Sequence, residues 1–281
     1  MPTRDIREMT DIEIINELSS VGIETTIDEF KEEAISAGSP TELANMWKTY
    51  LKKRAREDFL YEAAFELWSR HLSDVKCPEM LAVFIDETIN MYLEKPEEHD
   101  HASLQNIYDR IKEFYNNLLS EDQTPDFELF NWLTLLAYND IEGFLLSFPF
   151  ELARHGLADE AVNIDRWFAD ISSQPQNFLR DMGCILAEAG RRQEAFLQIE
   201  ENLERFPNDV WVIINAGDAM DSLEEKERAE KLYLKAYGMA GSRYDKADVI
   251  QRLIEFYREA GIMEKAEAYE SEYKALTESS K

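Results

Sequence analysis

NFLRDMGCILAEAGRRQEAFLQIEENLERFPNDV, residues 177–210, is followed directly by WVIINAGDAMDSLEEKERAEKLYLKAYGMAGSRY, residues 211–244. Laid one above the other, these windows place Ala195 over Ala229, Gly183 over Gly217 and Met182 over Ala216. The alanine register extends in both directions, through Ala161, Ala195, Ala229 and Ala266, at steps of 34, 34 and 37 residues. Five residues before three of these alanines stands a glycine, Gly156, Gly190 or Gly261; the third unit has Glu224 at that place. Each unit therefore reads as helix, tight turn, helix, with a small residue where the two helices cross. Units of that length bury their apolar faces by stacking on one another into a solenoid.

Composition agrees with an all-α chain. Glu, Lys, Ala and Leu abound, whereas ten glycines and eight prolines in 281 residues fall at junctions, so essentially no sheet is expected. A hydrophobic fraction of 44 %, with 11 % aromatic residues, is ample for a continuous core without staples. The 58 acidic and 30 basic residues give a formal net charge of −28, which repels phosphate backbones and anionic membrane surfaces and so disfavours nucleic-acid and membrane binding. That charge serves either solubility or the attraction of a basic partner. Cys77 and Cys184 are isolated, without CxxC spacing; they form neither a metal motif nor a disulfide framework and fit a reducing cytoplasm. The segment Met1 to Thr10 is charged, and no window approaches about 18 consecutive apolar residues, so a soluble, cytoplasmic chain is expected.

Ahead of the repeats, capping signals divide residues 1–140 into further helices. Thr10 with Glu13, and Thr26 with Glu29, are capping boxes, closed by Gly22 and Gly38. Ser39, Pro40 and Glu42 open a stretch that runs to about Leu72 with an interruption near residues 54–57, and Pro78 restarts a helix through Leu93. A helix from about Ser103 to Leu119 follows. Thr124 and Pro125 open the next, through Phe127, Phe130, Trp132, Leu133 and Leu136; being apolar on more than one face, it is expected to lie between neighbours. No linker rich in glycine, serine or proline divides the chain, so the amino-terminal region is read as continuous with repeats spanning 141–276, and 277–281 as a frayed tail.

The order of residues within the units resembles the tetratricopeptide repeat. Leu179, Met182, Gly183, Leu186, Ala195, Ile199 and Pro207, and then Ile213, Ala216, Gly217, Met220, Ala229, Tyr233 and Ala236, follow that family's pattern. The first unit departs from it at Pro149 and at Asp165, which stands where an aromatic is usual, and the fourth at Glu270, as suits a terminal cap. The resemblance implies a right-handed superhelix whose concave face is lined by the first helix of each pair. It also implies a non-catalytic scaffold that holds a peptide or partner helix in the groove. The inward candidates are then Arg180, Asp181, Cys184, Trp211, Asn215, Asp218, Arg252 and Glu255. Arg180, Asn215 and Arg252 are similar to part of a clamp for a peptide's terminal carboxylate, with Asp248 and Cys184 departing from it. Otherwise the two arginines pair with neighbouring acids.

Other constellations are weaker. His99 and His101 beside Glu97, Glu98 and Asp100 lack further ligands at a defined spacing and read as a charged loop after Pro96, so no metal is implied. His71 and His155 complement helix carboxyl termini. There is no phosphate loop, nucleophile elbow or HExxH helix, so no cofactor or catalytic residue is assigned. The alternative function is a helical enzyme or ligand sensor whose pocket would be built from Trp47, Trp68, His71 and Tyr92.

Overall fold

The computed structural model describes residues 5–51, 57–94 and 99–278, and these fold into α-helices with no strand; one isolated bridge joins Leu119 to Pro125. A 3-10 turn, Ile6–Glu8, precedes α1 (Asp11–Val21), α2 (Ile27–Ala37), α3 (Pro40–Lys48) and α4 (Glu57–His71). There follow α5 (Pro78–Leu93), α6 (His101–Asn117) and α7 (Phe127–Leu136). The remaining chain forms α8 (Ile141–Arg154), α9 (Ala158–Ile171), α10 (Gln176–Glu188), α11 (Arg192–Arg205), α12 (Val210–Ser222), α13 (Lys226–Met239), α14 (Arg243–Glu259) and α15 (Met263–Glu278).

Local chemistry sets the boundaries. The side chains of Thr10 and Thr26 accept from the amides of Glu13 and Glu29, whose carboxylates in turn accept from the threonine amides at 2.7 and 2.9 Å. Ser39 caps α3 with Pro40 in the first turn, and Pro78 opens α5. The expected interruption between α3 and α4 falls largely on residues 52–56, and Pro96, Glu97 and Glu98 lie likewise outside the described residues. The helix expected from Thr124 begins two residues later: the Thr124 carbonyl accepts from the Ser120 amide, and Asp126 becomes the cap, accepting from Leu129 N at 2.9 Å. At the carboxyl end, α15 runs to Glu278, the last described residue.

In the repeat region, α8 with α9, α10 with α11, α12 with α13 and α14 with α15 pack as hairpins. The first helices of successive pairs also touch, α8 on α10, α10 on α12 and α12 on α14, a neighbour-to-neighbour arrangement compatible with a helical repeat. Ala161, Ala195, Ala229 and Ala266 are all fully buried. The turns before them use the left-handed region, with φ of 80° at Gly156, 72° at Gly190 and 72° at Gly261. Glu224 adopts φ 61° at the equivalent place, so the third turn keeps the geometry and carries its steric cost.

Close helix approach explains Gly183 and Gly217. A Cβ on Gly183 would stand 2.8 Å from Ile199 Cγ1, and one on Gly217 would stand 2.6 Å from Tyr233 Cε1. Both facing residues belong to the second helix of the same pair, so the register of the two windows is a packing register.

The buried apolar residues form two clusters, one from Ile14 to Cys77 and one from Leu81 to Ala266. Helices α5 and α6 thus share a core with the pairs that follow: Tyr108 and Tyr115 of α6 stack on Trp167 of α9 at 5.7 and 5.3 Å. The expectation for α7 holds for one half of the helix. Helix α7 packs on α5 and, through Phe130, reaches Phe168 of α9 at 5.6 Å between ring centroids, while Phe127, Trp132, Leu135 and Leu136 face outward. A helix apolar on several faces has contacts to make on several faces, and the described residues cover the Phe130 and Leu133 side.

Candidate functional site

Three successive first helices bring the sequence-predicted residues to one half-exposed strip. Trp211, at the start of α12, lies between α10 and α14 in chain order, and the guanidinium carbons of Arg180 and Arg252 lie over its ring at 5.6 and 5.9 Å from the centroid. Its indole Nε1 donates to Asp245 Oδ1 at 3.2 Å, which fixes the ring plane. Trp211 is therefore neither a core residue nor a free-standing exposed anchor: it is half-buried, with its polar edge bound and its face shared with two cations.

Acids thread between these groups. Asn215 donates its amide to Asp181, and Asp181 stands 3.6 Å from Arg180. Asp218 accepts from Arg252 Nε at 3.2 Å and from the Tyr233 hydroxyl at 2.8 Å. Cys184 donates its thiol to the Asn215 carbonyl at 3.3 Å. Each clamp-like residue thus lies beside an internal carboxylate: Arg252 pairs with an acid of the neighbouring helix, and Arg180 with one of its own. Arg180 Nε is shielded from solvent and is the atom that faces Asp181, at a distance too long for a hydrogen bond.

Of the predicted residues, Arg180, Trp211, Asn215, Asp218 and Arg252 come together, as do Asp181 and Cys184. Glu255 stays apart, exposed on the rim of a shallow groove of about 280 Å³ between α14 and α15, beside Arg258 and Tyr273.

Electrostatics make this region costly. Burial pushes the Asp181 carboxyl up to about 7, with Asp218 adding to the rise and Arg180 and Asn215 opposing it. Burial likewise raises Asp218, against the pull of Arg252 and of the Tyr233 hydrogen bond. The Cys184 thiol is pushed well up by burial and by Asp218 and Asp181, so it stays protonated and is no nucleophile at neutral pH. Behind the strip lies Asp165 of α9, fully buried, with both carboxylate oxygens lacking a hydrogen-bond partner. Burial first, and Asp181 second, drive its pKa well above the usual carboxylate range. Sequence reading placed Asp165 at an aromatic's position but gave it no role. The signal was there, because an acid at a core register position must be neutralised or paired. Perturbed acids gathered on one face mark functional surface more often than bulk surface.

No known family's sequence profile matches the chain, and no curated protein is similar to it.

Of the residues of the alternative pocket, three share the amino-terminal region, Trp47 and His71 both against Phe30, and Tyr92 lies apart. Trp47 and Trp68 are buried in the amino-terminal cluster, where His71 Nε2 is 2.8 Å from Asp11 Oδ2. Tyr92 packs instead in the second cluster, against Phe144, Phe148 and His99. Asp100 is occupied as the cap of α6, accepting from Ser103 N at 2.8 Å, and His155 Nδ1 sits 2.9 Å from the Glu151 carbonyl at the end of α8. Among the described residues no helix is long and apolar enough to cross a membrane, and no group of three or more ligating side chains gathers.

Proposed function

We propose that this chain is a non-catalytic interaction scaffold of the tetratricopeptide-repeat kind, a right-handed superhelix that holds a peptide segment or a partner helix along the strip formed by α10, α12 and α14. The observation that carries this reading is the placement of Arg180, Trp211 and Arg252 on three consecutive first helices with both guanidinium groups within 6 Å of the indole centroid, at 5.6 and 5.9 Å. The half-buried indole gives a ligand apolar contact, and the guanidinium groups of Arg180 and Arg252 offer donors for a peptide carbonyl or carboxylate. Asp181, poised near neutral pH, tunes how far the Arg180 cation is already satisfied.

Affinity capture from native lysate with the wild-type chain and with Arg180→Ala/Asn215→Ala/Arg252→Ala, both confirmed folded by circular dichroism, tests the assignment. A partner retained by wild type and lost by the variant is expected. Equal retention by both would move binding off this strip.

A further inference from the structure

Helix α7 presents a second surface that the strip does not explain. Phe127, Leu135, Trp132 and Leu136 fall at successive angles around one half of the helix, and Tyr138 follows two residues past its end, where Ala137 is extended. Leu135 is 84 % exposed, Tyr138 93 % and Trp132 48 %. Large apolar side chains scattered singly over a surface are ordinary, but four on one half of a single helix, shared there only with Asn131 and Glu128, mark a candidate docking face.

This face is also held rigid. Asp86 of α5 accepts from the amides of Tyr138 and Asn139 at 2.8 Å each and from the Asn139 side chain at 2.9 Å. The backbone that carries the most exposed aromatic is therefore fixed before any partner arrives, which lowers the ordering cost of binding.

Charge selects the occupant. From residue 113 to residue 153 the chain carries eight acidic residues and no lysine, arginine or histidine. Among them, Asp126 and Glu128 stand at the start of α7 and Asp140 just beyond its end. A second copy of a chain with net charge −28 would meet the same acids, and an anionic membrane would be repelled. An α-helical ridge offers no strand edge, so its natural complement is another helix packed ridge into groove. We infer that the exposed face of α7 docks an amphipathic helix of a partner protein, apolar on the side that covers Trp132, Leu135 and Tyr138 and rich in lysine or arginine on its flanks.

A fluorescein-labelled synthetic helix of about 18 residues, with leucine at helical spacing and lysine elsewhere, probes this by fluorescence anisotropy. It is expected to bind the full chain. Leu135→Ser/Tyr138→Ser, at two exposed side chains, is expected to weaken it at least about tenfold with unchanged circular dichroism, as is Leu135→Lys. The same peptide with glutamate for lysine is expected not to bind, and Arg180→Ala/Asn215→Ala/Arg252→Ala is expected to bind like wild type. Unchanged affinity in both α7 variants, binding of the glutamate peptide, or loss only in the groove variant would each overturn the proposal. So would self-association in sedimentation, or cosedimentation with phosphatidylcholine vesicles, that Leu135→Ser/Tyr138→Ser abolishes; these would make a second copy or a membrane the occupant.

Discussion

Replacing Gly217 by alanine sets two effects of opposite sign against each other. In a helix interior, alanine for glycine favours the helix by about 1 kcal/mol. At Gly217, however, the new methyl would stand 2.6, 2.8 and 3.2 Å from three carbons of the Tyr233 ring. That ring is buried, its hydroxyl is bound to Asp218 at 2.8 Å, and its edge meets Phe256 at 5.8 Å between centroids, so it has no free direction in which to retreat. Overpacking of this kind costs about 1–3 kcal/mol, and with backbone helices separated to relieve it the upper part of that range applies. The net expectation for Gly217→Ala is a loss of about 1–2 kcal/mol. Gly238, near the end of α13, has nothing within 4 Å of the same added carbon, so Gly238→Ala should be neutral or stabilising by up to about 1 kcal/mol. Guanidinium unfolding of both variants, compared at constant slope, reads the difference. Gly217→Ala matching or exceeding Gly238→Ala in stability would refute the claim that α12 and α13 touch through this glycine.

Glu224→Gly should raise stability by about 0.5–1 kcal/mol, since it relieves the left-handed cost at φ 61° and returns part of that gain as unfolded-chain entropy; a lower thermal midpoint would contradict the turn geometry. Asp165→Asn should stabilise the chain at pH 8, and the gain should shrink as pH falls towards 4. The sign follows from a folded pKa raised above its unfolded value, which makes the folded state bind the extra proton, so the wild type loses stability as pH rises from about 4 through the raised pKa. A pH-independent difference in urea midpoints would count against it. Ala195→Trp should lower the melting temperature markedly, because the fully buried Ala195 has no space for an indole; an unchanged melting temperature would remove the helix crossing from the account.

Much of this architecture was legible from small residues. The alanine and glycine register carried the helical pairs because a 34-residue step leaves the same contact, a Cβ missing or minimal, at each crossing. Even the exception was legible: Glu224 stands at the glycine's place and adopts the glycine's conformation. Convergence of Arg180, Trp211 and Arg252 followed from the same register, since it predicts which face each first helix turns inward. The internal pairings within the strip did not follow, because the choice between Arg252 reaching a ligand and reaching Asp218 depends on rotamers and a few ångströms of helix offset. Glu255, one helical turn on from Arg252, lines the groove beside α15. For α7 the pattern announced apolar residues on several faces, of which the Phe130 and Leu133 side is buried and the Leu135 side exposed; hydrophobic pattern by itself does not say which face the chain covers.

The most direct test of the account is hydrogen–deuterium exchange of the full chain with and without its captured partner. Binding along the strip predicts slowed exchange in residues 176–188, 210–222 and 243–259, the three first helices, with Asn215 and Trp211 inside the protected segments. Protection that leaves all three of these helices unchanged would contradict the central claim that α10, α12 and α14 form the binding surface.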